Sequence, residues 1–72
     1  MRELLDQLVG EMVDRGIRFE DARHEFDKRF ITRALAADKG SVIRTADRLG
    51  VHRNTLARQI KQLKIKARPS GS

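Results

Sequence analysis

Apolar residues recur at helical spacing almost from the first position. Leu4, Leu5, Leu8, Val9, Met12 and Val13 fall on one stripe of an amphipathic helix. Gly16 stands where a left-handed residue closes a helix, and Ile17 is placed to fold back onto Met12. Gly10 falls on the outer side of this helix, where it costs about 1 kcal/mol relative to alanine. A second set, Ala22, Phe26, Phe30, Ile31, Ala34 and Leu35, predicts a second helix beginning near Phe19 to Asp21, without an evident capping side chain. Lys39 and then Gly40 end it. All three aromatic residues (Phe19, Phe26, Phe30) lie in or beside this helix, so they read as core rather than as a base-stacking platform.

Two shorter helices follow. Ser41 is a good N-cap for a third helix over Val42 to Leu49, which Gly50 ends. The fourth starts after His52 and extends to about Lys64, with Leu56, Ile60 and Leu63 facing inward and Val51 placed to staple onto Leu56. Helix, tight glycine turn, helix is the layout of a helix-turn-helix unit. The spacing fits: Ala46 is small where the two helices must approach, Gly50 lies in the turn, and Leu56 returns to the inner face. The predicted architecture is all-α with four helices. Residues 1–39 form a helical dimerisation region, 40–65 the helix-turn-helix, and 66–72 a flexible tail of small and polar residues.

Size changes the reading of the first stripe. A chain of 72 residues is one small domain that buries only about 60% of its unfolded surface. With no cysteine there is no disulfide or cysteine-based zinc site to staple it. Oligomerisation remains, and six apolar residues in the first helix plus a Phe-rich second helix exceed what two short helices can cover. Leu4, Leu5, Leu8, Val9, Met12, Val13, Phe26 and Phe30 are therefore expected at a homodimer interface.

Charge changes the reading of the second half. The net charge is +6, but residues 1–38 carry seven Lys/Arg against nine Asp/Glu, whereas residues 39–72 carry nine Lys/Arg against Asp47 alone. That is −2 followed by +8, a cationic block that attracts polyanions. It coincides with the helix-turn-helix, which points to double-stranded DNA. With Leu56, Ile60 and Leu63 turned inward, Asn54, Arg58 and Lys61 point out, and Arg53 and Thr55 lie in the first turn, where an inserted helix meets base edges. Arginine can donate two hydrogen bonds to guanine. Backbone N–H groups at Ser41 and at the start of the fourth helix can hold phosphates, and Arg44 leaves the third helix one turn in.

The stretch RFITRALAADKGSVIRTADRLGVHRNTLARQIKQLKI resembles the Fis-type helix-turn-helix, found in the Fis nucleoid protein and at the C-terminus of NtrC-type activators. The match is most specific at LGVHRNTL. The resemblance implies a twofold dimer built by the first two helices, with recognition helices in successive major grooves. It assigns the main base contact to Arg53, and phosphate or groove contacts to Arg44, Thr55 and Arg58. His52 stands where the family often has asparagine or serine, and the pattern there does not assign the cap. Ser41 replaces a frequent asparagine and keeps a hydroxyl. Ile43 replaces a common threonine or serine, and Ala57 and Gln59 stand where Fis is basic, which implies fewer phosphate contacts.

Other function classes find less support. His24 and His52 lack metal-ligand spacing, and the acids at 20, 21, 25 and 27 sit beside Arg23, Lys28 and Arg29 as surface ion pairs. No catalytic constellation or phosphate loop is present, so a non-enzyme without metal, cofactor or small-molecule substrate is expected. No run approaches the roughly 20 apolar residues of a membrane span, and a cytoplasmic, nucleoid-associated location is expected. The N-terminus carries no signal-peptide pattern, and the initial methionine leading straight into a helix favours a stand-alone protein over the excised end of an NtrC-type activator. A helical protein–protein adaptor with a solvated basic face is the alternative from another class. RNA is a weaker partner, because an inserted helix does not fit the narrow A-form major groove.

Overall fold

Four helices form where the apolar periodicity places them. In the computed structural model, which describes residues 1–66, they are α1 (Arg2–Asp14), α2 (Phe19–Ala37), α3 (Val42–Leu49) and α4 (Arg53–Gln62), with no strand among the described residues. Most of the expected tail lies outside the described residues.

The helix ends share one device. At each, an N–H bonds back to a carbonyl five residues earlier: Ile17 to Met12 (3.1 Å), Gly40 to Leu35 (2.8 Å), Val51 to Ala46 (3.0 Å) and Ile65 to Ile60 (3.0 Å). This closure needs a left-handed residue. Gly16 (φ 74°) and Gly50 (φ 73°) supply it at α1 and α3, but Lys39 (φ 55°) and Lys64 (φ 57°) supply it at α2 and α4. A side chain in that conformation costs about 1 kcal/mol; a lysine there at least places its charge beside the negative helix terminus. The closure at Lys64 ends α4 at Gln62, two residues short of the expected boundary.

Starts differ. Ser41 Oγ accepts from the Arg44 N–H (3.2 Å) and caps α3, while α1 and α2 have no side-chain cap. A Cβ added at Gly10 would meet nothing within 4 Å, in keeping with its expected outer position.

The core is small and lies at one end. Ile31 and Leu35 of α2, Ala46 of α3, Leu56 and Ile60 of α4, and Leu63 beyond it are buried, with Val42 and Ile65 packed against them. The three phenylalanines do not belong to this core, contrary to the sequence expectation. Phe19 is exposed, and Phe26 and Phe30 stay 52% and 50% exposed, their ring centroids 5.4 Å apart. The physical reason is the side of the helix they occupy: Ile31 and Leu35 turn toward α3 and α4, whereas the phenylalanines line the groove beside α1, which buries no residue at all. Met12 is half-buried, while Leu4, Leu5, Leu8, Val9 and Val13 are exposed.

Candidate nucleic-acid interface

The inner face of the helix-turn-helix fixes its outer face. Leu56 is 2% exposed, Ile60 and Leu63 are buried, and Ala46 lets α3 and α4 approach closely. Their neighbours on α4 must therefore point away. Arg53, Asn54, Arg58 and Lys61 are exposed, as is Arg44 on α3, whereas Ser41 and Thr55 are half-buried.

His52 is resolved by the geometry as the cap of α4. Its Nδ1 accepts from the Asn54 N–H at 3.0 Å, which leaves Nε2 as the outward donor. Arg44, His52 and Arg53 line one shallow depression of about 470 Å³ between α3 and α4, together with Ile43, Asp47 and Val51. The structure thus gathers these three candidates at the junction of the two helices. Asn54, Thr55, Arg58 and Lys61 do not line that depression and belong to the flank of α4. Asp47, the lone acid of the cationic half, stands in the same depression and repels an anion there.

Arg44, Arg53, Arg58 and Lys61 form no ion pair with any described carboxylate, whereas Arg15, Arg23, Arg29 and Arg48 each have one. Arg29 pairs with Glu25 (3.4 Å) and Arg23 with Glu20 (3.8 Å) and Asp27 (4.0 Å), as the acid clusters of α2 led one to expect, and Arg15 pairs with Glu11 (3.0 Å). The opposite arm of the molecule carries a different feature. An apolar groove of about 810 Å³ runs between α1 and α2 to the end of α3, lined by Leu5, Leu8, Val9, Met12, Phe26 and Phe30 among others. Leu4 and Val13 are exposed but stand outside it.

One constellation was missed by sequence reasoning. Asp38, the C-cap of α2, receives Arg48 Nη2 on Oδ1 (2.8 Å) and Arg48 Nε on Oδ2 (3.0 Å). Thr45, fully buried, lies 3.2 Å from the same Oδ2, and its single hydroxyl proton has a closer acceptor in the Ser41 carbonyl (2.7 Å). The Arg48 hydrogen bonds hold the Asp38 carboxyl below its ordinary pKa against the opposing effect of desolvation, and raise that of Arg48. The available signal was an acid at a helix C-terminus, where the dipole disfavours it.

Comparison with known proteins bears on the same residues. Residues 22–63, more than half the chain, match the family described as bacterial regulatory protein, Fis family. A DNA-binding transcriptional regulator NtrC from Bradyrhizobium sp. (strain RP501 Parasponia) is 47% identical over 47 residues, which are 65% of this chain and 10% of that protein. The chain thus spans about a tenth of the length of that relative. No solved structure gives a significant match.

Proposed function

Because the chain belongs to the Fis family of bacterial regulatory proteins, a family of DNA-binding and not enzymatic domains, we propose that it acts as a homodimeric transcriptional regulator or nucleoid-associated factor in the bacterial cytoplasm. In this reading α4 enters the major groove of double-stranded DNA. The apolar faces of α1 and α2, in the region 1–39, join two copies through Leu4, Leu5, Leu8, Val9, Met12, Val13, Phe26 and Phe30. The region 40–65 then presents two recognition helices to successive major grooves, about one helical turn apart.

The observation that carries this reading is that Arg44, Arg53, Arg58 and Lys61 stand exposed on a capped helix pair, without an ion pair to any described carboxylate. Charges without a partner carboxylate remain available to phosphate, and each phosphate neutralised adds to the salt dependence of binding. Arg53, in the first turn, reads guanine. Asn54 and Thr55 bond bases or backbone. Arg44, Arg58, Lys61, the outward Nε2 of His52 and the backbone at Ser41 hold phosphates.

Gel-shift titration on duplexes with inverted half-sites tests the reading. Salt-sensitive binding is expected, and Arg53→Ala weakens it by about 1–3 kcal/mol while relaxing preference at one base position. Indifference to every DNA sequence at low salt refutes it. Function as the DNA-binding part of a longer activator is a second reading, favoured by the 47-residue likeness to one tenth of the NtrC regulator. The reading frame upstream decides it.

A further inference from the structure

The Asp38–Arg48 pair sits between the two arms of the molecule. α2 belongs to both: its Phe26 and Phe30 line the apolar groove, and its Ile31 and Leu35 enter the core with α3 and α4. The angle at which the helix-turn-helix leaves α2 is therefore set at one corner, between Ala37 and Val42. Three residues in tight turn geometry occupy that corner, two of them (Lys39, Gly40) at positive φ. From α2 only Ile31 and Leu35 enter the buried cluster that crosses it, against Ala46, Leu56, Ile60 and Leu63, and the hydrophobic attraction between them is non-directional. A bidentate guanidinium–carboxylate pair does have direction, because its two parallel bonds fix both distance and orientation.

The Asp38 carboxylate is well placed to impose that direction. Its side chain is only 10% exposed, and both oxygens are engaged from α3. Arg48, which is 56% exposed, crosses from α3 to the end of α2, and it lines the same apolar groove as Phe30, Arg33, Ala37 and Leu49. The pair thus ties α3 to α2 at the point where the groove meets the helix-turn-helix.

We propose that Asp38 and Arg48 are positioning residues that fix the angle between the α1–α2 arm and the helix-turn-helix, and thereby the half-site spacing the dimer selects. This rests on the dimeric DNA-binding reading above. Neither residue touches DNA in this account. They act by holding both copies of α4 at one separation, so that a duplex with the right spacing engages both helices and one with the wrong spacing engages a single helix. Thr45, buried beside Asp38 Oδ2, donates to the Ser41 carbonyl within the first turn of α3.

The test uses the full chain with one spin label per copy, at Gln62→Cys, in a protein that has no other cysteine. Dipolar distances between the two labels are measured in the native background and in Arg48→Met, which keeps the apolar stem and loses the fork. Duplex affinities are measured in parallel across half-site spacings. Arg48→Met is expected to broaden the distance distribution and to reduce discrimination between the best and a shifted spacing by about tenfold, with helix content and base preference within a half-site retained. Asp38→Asn is expected to do the same, and Arg48→Lys, which keeps charge without the fork, to fall between. Unchanged distances and spacing ratio in folded Arg48→Met and Asp38→Asn overturn the proposal. So does uniform loss of affinity at every spacing, the mark of a merely structural role. Should Arg48→Met not fold, Arg48→Lys and Asp38→Asn decide on the same readouts. The absence of any inter-label distance in the native background refutes the dimeric reading itself, and is a distinct outcome.

Discussion

Truncating Leu8 tests the dimer at a single side chain. Leu8 is 52% exposed in one copy and lines the groove between α1 and α2. Complete burial of a leucine side chain contributes about 1.5–3 kcal/mol, so covering the exposed half contributes about 1 kcal/mol. Twofold symmetry repeats the contact, which gives about 2 kcal/mol per dimer, or roughly a 30-fold weaker dissociation constant for Leu8→Ala. Alanine is the best helix former, so α1 itself does not suffer. The change therefore separates association from helix formation. Sedimentation equilibrium over a dilution series reads the dissociation constant, and circular dichroism at high concentration confirms that helix content is kept. DNA affinity on an inverted-repeat duplex should fall with it at protein concentrations near the new midpoint and recover at higher ones. An unchanged dissociation constant would refute the reasoning, because half a leucine would then remain in water in the assembled protein.

Other outcomes follow from the same geometry. Leu56→Ala removes the most buried large side chain of a very small core and should cost about 2–5 kcal/mol, enough to abolish a cooperative thermal transition by circular dichroism. His52→Ala deletes the α4 cap and should lower stability by about 1 kcal/mol in urea titration, whereas His52→Asn, with a capping oxygen, should keep it. The Asp38 carboxyl has a folded pKa below its unfolded one, so its contribution is fully present above the unfolded value and is lost as pH falls through the folded one. The urea midpoint should accordingly fall on acidification across that window, and Asp38→Asn should flatten this part of the pH profile; an identical slope in the variant would show that other carboxylates account for it.

Local rules made the helices legible. The 3.6-residue period, Ser41 as a cap and the glycines at 16 and 50 act within one or two turns of chain, so the sequence carries them directly. The same holds for the inner face of α4: once Leu56, Ile60 and Leu63 point inward, the outward placement of Asn54, Arg58 and Lys61 follows from helix geometry alone. Even the resemblance to Fis-type domains rests on short-range spacing from Arg29 to Ile65, and the family match, residues 22–63, covers most of that stretch.

Tertiary structure decided what spacing does not encode. Lysines 39 and 64 adopt the left-handed conformation where Gly40 and Ile65 bond back to Leu35 and Ile60, and the second closure brings Ile65 onto the core. Phe30 is adjacent to Ile31 but about 100° round the helix from it; Ile31 turns into the core with α3 and α4, while Phe26 and Phe30 line the groove beside α1 and stay half exposed. Asp38, Thr45 and Arg48 lie seven and ten positions apart across a chain reversal, and they meet only because the corner between α2 and α3 turns by the angle it does. Periodicity says which residues share a face; only the three-dimensional path of the backbone says which faces meet and which are left to water.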